Sequence, residues 1–195
     1  MKIIGVGAGP GLLTKEAIKA IENARIIFGS KRAVELAKEH INIKCKTNIL
    51  TDYTLQKLPE NAVVLSTGDP MLSGLGKYAK SDDEIIPGIS SMQIACARLC
   101  LEIDNIAIIT AHSRDIGIVK ERILADLRNG KNIFLLPDAS FGVKEIAGFL
   151  KNEGFSKKIS VCEKLGYPDE RIVTGTTDTP PVARSDMYCV IITDF

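Results

Sequence analysis

Short runs rich in Ile and Val alternate with stretches of helical periodicity along the chain, and this alternation limits the fold to an α/β class with helices packed on sheets. Ile3-Ile4-Gly5-Val6 opens as a strand. Thr14 reads as an N-cap, after which Ala17, Ile18, Ile21 and Ala24 share one helical face. Arg25 to Phe28 reads as a second short strand, Ala62 to Ser66 as a buried one, and Glu84 to Ile86 as another, ended by Pro87-Gly88. Ser90 and Gln93 make a Ser-x-x-Gln capping box, and Met92, Ala95, Cys96 and Leu99 then recur at helical spacing. Cys96 and Cys100 fall on one face of that expected helix. The pattern restarts with a strand at Ile106 to Thr110 and a helix carrying Ile116, Val119, Ile123 and Leu127, closed by Gly130. Ile133 to Leu136 is the next strand, followed by a helix through Val143, Ile146, Ala147 and Leu150. Strands near Ile159 to Cys162, Arg171 to Val173 and Tyr188 to Thr193 complete the series. The restart after Leu101 to Asn105 predicts two small α/β domains, 1–104 and 105–195, with a ligand cleft between them.

Four segments gather residues suited to ligands. Gly5-Val6-Gly7-Ala8-Gly9-Pro10-Gly11 lies between the first strand and first helix, where glycine permits positive φ and close approach to the backbone. The dinucleotide pattern G-x-G-x-x-G fails there. Started at Gly5 it meets Pro10, and started at Gly7 it meets Leu12. Gly29-Ser30-Lys31-Arg32 follows the second strand, where that pattern needs an acidic residue. Thr67-Gly68-Asp69-Pro70 stands at a strand's carboxyl end, where ligands of open α/β sheets gather. The Asp69 carboxylate would face a cationic or hydroxyl-bearing ligand; the alternative is an ordinary Asp-Pro turn. Pro87-Gly88-Ile89-Ser90-Ser91 brings free backbone N–H groups to a helix start. His112-Ser113-Arg114-Asp115 collects an imidazole, a hydroxyl, a guanidinium and a carboxylate, although nothing in the sequence pairs them into a catalytic triad.

Composition excludes several classes. A formal net charge of +1 argues against a nucleic-acid surface. Five cysteines without a C-x-x-C pair, and only His40 and His112 as histidines, argue for buried free thiols and no metal site. No apolar run reaches the roughly 18 residues of a membrane helix. The opening MKIIGVGAG enters a strand at once, unlike a signal peptide, so the expected compartment is the cytoplasm.

Taken in order, Gly5-Val6-Gly7-Ala8-Gly9 with Leu13-Thr14, Gly68-Asp69-Pro70 and Pro87-Gly88-Ile89-Ser90 resemble the tetrapyrrole methylase superfamily. Its pattern is a G-x-G-P-G-type loop followed by Leu-Thr, a G-D-P turn and a P-G-x-S helix start. Ala8 stands where the family loop has proline, or else Gly9-Pro10-Gly11 is that element shifted. Gly29-Ser30-Lys31-Arg32, the run from Pro87 to Leu99 and His112-Ser113-Arg114-Asp115 are most similar to the cobalt-precorrin C5-methyltransferases of cobalamin biosynthesis. The resemblance implies two α/β domains with S-adenosyl-L-methionine folded between them. It also implies methylation of C5 of cobalt-precorrin-6B to give cobalt-precorrin-7. A tetrapyrrole methylase acting at another ring position, or a non-catalytic ligand-binding module, are the alternatives. The donor contacts it implies are Gly7, Gly9, Pro10, Gly68, Asp69, Leu72, Ser90, Ser91, Leu165 and Tyr188. The carboxylate-rich macrocycle would meet His112, Arg114, Lys31, Arg32 and Arg98, with His112 the candidate general base. The same resemblance implies a homodimer and, as functional partner, a decarboxylating precorrin methyltransferase.

Overall fold

In the computed structural model, which describes residues 1–195, strand β1 (Lys2–Gly5) carries Ile3 and Ile4 to opposite sides of a parallel sheet. The other strands of this sheet are β2 (Ile26–Gly29), β3 (Lys46–Ile49), β4 (Val63–Ser66) and β5 (Glu84–Ile86), in the order β3-β2-β4-β1-β5. Helices α1 (Lys15–Glu22) and α2 (Lys31–Ala37) bury Ala17, Ile21, Ala33 and Ala37 against Ile4, Ile27, Val63 and Leu65. The opposite face seats Ile3 and Val64 with Leu50 and Leu55. Thr14 caps α1 as expected, its Oγ1 accepting from Ala17 N at 3.1 Å.

Two elements of this unit escaped the sequence reading. Lys31–Ala37 is a helix because Ser30, read only as part of the segment that follows the second strand, is its N-cap and accepts from Ala33 N at 3.1 Å. Lys46–Ile49 is an edge strand with three of its four residues exposed, so it carries no apolar run.

The second sheet is mixed. Strands β6 (Ile106–Thr110) and β7 (Asn132–Leu136) are parallel. Strand β10 (Tyr188–Thr193) runs antiparallel between β7 and β8 (Lys158–Glu163), and β9 (Arg171–Thr176) pairs beyond β8, giving β6-β7-β10-β8-β9. Helices α4 (Ile116–Arg128) and α5 (Val143–Asn152) cover one face with Val119, Ile123, Leu127, Ile146 and Leu150. Gly130 follows α4 at φ +73, as its closing role requires.

Helix α3 (Ser91–Leu99) links the two series. The chain divides into compact units Met1–Ser91 and Met92–Phe195, so all but the first residue of α3 goes with the second sheet. The sequence boundary after residue 104 places the helix with the first half instead. Packing accounts for the difference: Cys96 lies beside Cys162, and Arg98 Nε pairs with Glu170 at 2.7 Å. Cys100 does not share a helical face with Cys96. It follows the helix at φ +53, and Leu101 N bonds back to Cys96 O at 2.9 Å, so Cys100 occupies the left-handed position that commonly ends helices. Cys96, Cys162 and Cys189 are buried free thiols; the Cys162 side chain and burial together hold the Cys189 thiol well above its ordinary value. No helix is long and apolar enough to cross a membrane.

Candidate functional site

At the carboxyl ends of β1, β4 and β5 three turns lock together. Gly7 and Gly68 exchange backbone hydrogen bonds at 3.2 and 2.8 Å, and Ala8 N donates to Ile89 O at 2.9 Å. The connection leaving β1 runs past β4 to β2, while that leaving β4 runs past β1 to β5, so the chain parts in opposite directions at this edge. Such a switch point is where open α/β sheets take ligands.

The glycines here serve two different ends. A Cβ on Gly5 would stand 2.5 Å from Gly88 N and 2.8 Å from Gly68 O, so this position must be bare for the turns to meet. Gly68 instead needs glycine for its φ of +68; a side chain there would meet only Ser90 Cα, at 3.9 Å. The missing side chain leaves a strip of backbone open beside Ser90, as a cradle for a flat or extended ligand requires.

Asp69 is the tie of the assembly. Its Oδ1 accepts from Met71 N at 2.7 Å and its Oδ2 from Gly88 N at 3.1 Å. The carboxylate expected to face a ligand is thus turned to two backbone amides, and it fixes the turns rather than reaching outward. Leu72 follows in the same turn, its amide on Asp69 O at 3.2 Å. Of the sequence-predicted donor residues, Gly7, Gly9, Pro10, Gly68, Asp69, Leu72 and Ser90 belong to these three turns in the first unit, and Ser91 follows as the first residue of α3. Lys31 and Arg32 are exposed at the start of α2 in that unit.

The remaining candidates lie in the second unit. Leu165 is buried just beyond β8, and Tyr188 begins β10 opposite Glu163. Burial, with Glu145, Asp186 and Glu163 nearby, raises the Tyr188 phenol above its ordinary value, so it stays a neutral donor. Arg98 is committed to Glu170, whose other oxygen holds Gly166 N at 2.7 Å. His112 and Arg114 are exposed in the turn after β6. That turn is shaped by Ser113 at φ +56 and by Arg114 N on Ala111 O at 3.0 Å, and it ends at Asp115, whose Oδ1 caps α4 through Gly117 N and Ile118 N. Beside it stands Asp138, in the turn after the parallel neighbour β7, with Oδ2 3.8 Å from His112 Nδ1. The sequence reading missed Asp138. Its signal was Pro137-Asp138-Ala139-Ser140 at the carboxyl end of an apolar strand, the same arrangement that singled out Asp69.

Comparison with known proteins bears on this arrangement. The family model described as tetrapyrrole (corrin/porphyrin) methylases matches residues 2–181. A protein of Methanocaldococcus jannaschii named a probable cobalt-precorrin-7 C(5)-methyltransferase is 38% identical over 187 residues, spanning 86% of this chain and 85% of that one. The crystal structure of a precorrin-6Y methylase of cobalamin biosynthesis from Archaeoglobus fulgidus superposes with TM-score 0.74 at 27% identity, covering 100% of this chain and 97% of that one. A uroporphyrin-III C-methyltransferase from Thermus thermophilus, solved with S-adenosylhomocysteine, shares the fold at TM-score 0.72 and 18% identity over 98% and 96% of the two chains.

Proposed function

The chain belongs to the tetrapyrrole methylase family, and from that premise we propose that it methylates C5 of cobalt-precorrin-6B to give cobalt-precorrin-7 in cobalamin biosynthesis. The observation that carries this reading is the lock of three glycine-built turns at the switch point, in a chain 38% identical to a C5-methyltransferase-named relative. S-Adenosyl-L-methionine supplies a methyl group already activated by its sulfonium, so the protein's task is chiefly orientation. Gly7, Gly9, Pro10, Gly68, Leu72, Ser90 and Ser91 line the donor's place in the first unit, and Asp69 holds their turns in register.

The acceptor carries several carboxylates, and cations must hold it. Arg114, exposed beside His112, is the foremost of these. Lys31 and Arg32 are further candidates, whereas the guanidinium of Arg98 is already held by Glu170. On the same reading the protein works in the cytoplasm as a homodimer, alongside a decarboxylating precorrin methyltransferase.

Calorimetry with S-adenosylhomocysteine and with NAD tests the donor, and steady-state transfer to cobalt-precorrin-6B tests the acceptor. Binding of the first ligand, none of the second, and a product methylated at C5 are expected; tight NAD binding or methylation at another carbon would overturn the assignment. Arg114→Ala should raise the KM for the macrocycle roughly ten- to a hundredfold, the equivalent of one charge-assisted hydrogen bond. The affinity for S-adenosylhomocysteine should stay at the wild-type value, and Arg114→Lys should recover only part of the loss because lysine lacks the planar fork.

A further inference from the structure

We propose that Asp138 is a positioning residue of the methyl transfer: it fixes the ring of His112 so that Nε2 faces the macrocycle with its lone pair free. The inference rests on the reaction assigned above. Its basis is a junction of two turns that the chain has built rigidly. Ala111 N donates to Leu136 O at 2.8 Å, tying the end of β6 to the end of β7. Asp138 is anchored from below, its carbonyl accepting from the amide of the buried Phe141 at 3.0 Å. Its Oδ1 is saturated by Ser140 N at 3.0 Å and Ser140 Oγ at 2.8 Å. That leaves Oδ2 aimed across at the neighbouring turn, where it accepts from Ser113 N at 3.4 Å and lies at ion-pair distance, 3.8 Å, from His112 Nδ1. Ser113 adopts φ +56, a conformation that a residue with a Cβ rarely takes without support, and the Asp138 contact is what supports it.

The electrostatics agree with the geometry. The amide and hydroxyl of Ser140, then the amide of Ser113, hold the Asp138 carboxyl below its ordinary value, so it is an anion at neutral pH. Asp138, from the turn after β7, is the charged group in ion-pair reach of the His112 ring, and Arg114 and Asp115 follow His112 in its own turn. Asp115 is turned away to the α4 amides, so Asp138 is the carboxylate available to the ring. In a neutral ring, a carboxylate on the Nδ1 side favours the tautomer with the proton on Nδ1, which leaves Nε2 as acceptor.

The reaction has a place for such an acceptor. Methyl transfer breaks one S–C bond, whose electron pair stays on sulfur, and an electron pair of the macrocycle makes the new C–C bond. The positive charge of the sulfonium passes with the methyl group and is discharged when the macrocycle loses one proton. His112 Nε2 receives that proton and releases it to water.

Asp138→Asn keeps the Ser140 contacts but gives up both Oδ2 contacts, to Ser113 N and to His112 Nδ1, so the tautomer of His112 is the readout that separates positioning from loop support. The amide oxygen can still accept from Ser140, which turns the NH2 group toward His112 and makes it a donor to Nδ1. The proton of the neutral ring then moves to Nε2, and the acceptor is lost. Because the chain has only two histidines, imidazole 15N spectra at alkaline pH resolve this directly, with His40 as the internal reference and His112→Gln to assign the signals. Wild type should show the Nδ1–H form at His112 and Asp138→Asn the Nε2–H form. The variant's kcat should fall about a hundredfold, with the macrocycle KM and S-adenosylhomocysteine affinity within about twofold of wild type. Asp138→Asn combined with His112→Gln should be no slower than His112→Gln alone, since both act through one group. An unchanged tautomer, an unchanged kcat, or additive losses in the double variant would overturn the role of Asp138 while the assigned reaction stands. A wild-type protein that binds S-adenosylhomocysteine but transfers no methyl group to cobalt-precorrin-6B would overturn the reaction and the role of His112 together.

Discussion

Gly88→Ala is expected to destabilise the first unit by more than about 3 kcal/mol and to abolish measurable S-adenosylhomocysteine binding. The added Cβ would fall on the carbonyl oxygen of Gly68 and within 2.8 Å of Gly5 Cα. Every atom it meets is backbone, held by hydrogen bonds between Gly7 and Gly68 and between Ala8 and Ile89. No side chain can swing aside, so one of the three turns must move, and the donor's place moves with it. Gly11→Ala is the control from the same loop. Gly11 sits at φ +71 but has nothing within 4 Å of its missing Cβ. Its substitution should cost about 1–2 kcal/mol of backbone strain and leave the turns in register. Urea unfolding and calorimetry on the two variants make the comparison; equal, small losses would show that the turns tolerate separation.

Glu163→Gln should be the most damaging change in the second unit. This buried carboxylate holds Arg171 at 2.5 Å, Ser185 N at 2.9 Å and Arg184 N, and so pins the segment that leads into β10. Removing one partner of a buried ion pair leaves the other uncompensated, at a cost of about 3–5 kcal/mol. The same site sets a pH dependence. Burial alone would raise the Glu163 carboxyl, but the Arg171 guanidinium and the two amides outweigh it, and the group ends below its ordinary value. A carboxyl depressed in the folded state contributes stability that is present above its unfolded value and is lost as pH falls through the folded one. Thermal unfolding of wild type should therefore weaken with acid in that window, and Glu163→Gln should flatten this part of the profile. A variant with wild-type acid sensitivity would show that other carboxylates dominate there.

What could be read from the sequence was whatever announces itself by apolar periodicity or by a cap. Thr14 and the apolar face from Ala17 to Ala24 marked α1, and the run from Ile106 to Thr110 marked β6, because burial on a fixed face enforces the spacing. The strand at Lys46–Ile49 lacked any such trace, since an edge strand pairs through its backbone and leaves its side chains in water. The three glycine turns were visible as motifs, yet their meeting was not, because β1, β4 and β5 become neighbours only through the sheet order. The direction of a carboxylate was harder still. Asp69 in its turn and Asp138 in another carry the same residue type, and only the fold decides that the first is spent on Met71 and Gly88 while the second keeps an oxygen toward His112.

The position of β10 has a consequence for how the molecule is made. It is the strand with the highest residue numbers and yet it lies in the middle of its sheet, joining the β6-β7 ribbon to the β8-β9 ribbon. All five strands of the first unit precede Pro87, so that unit can close while the rest of the chain is still being synthesised. The second cannot. Until residue 193 has left the ribosome, two narrow ribbons wait with the apolar faces that Val190 and Ile192 will bridge, each with an unpaired edge open to other chains. The nascent protein therefore passes through a stage in which one half is native and the other is adhesive, and the interval ends only with the insertion of a single strand.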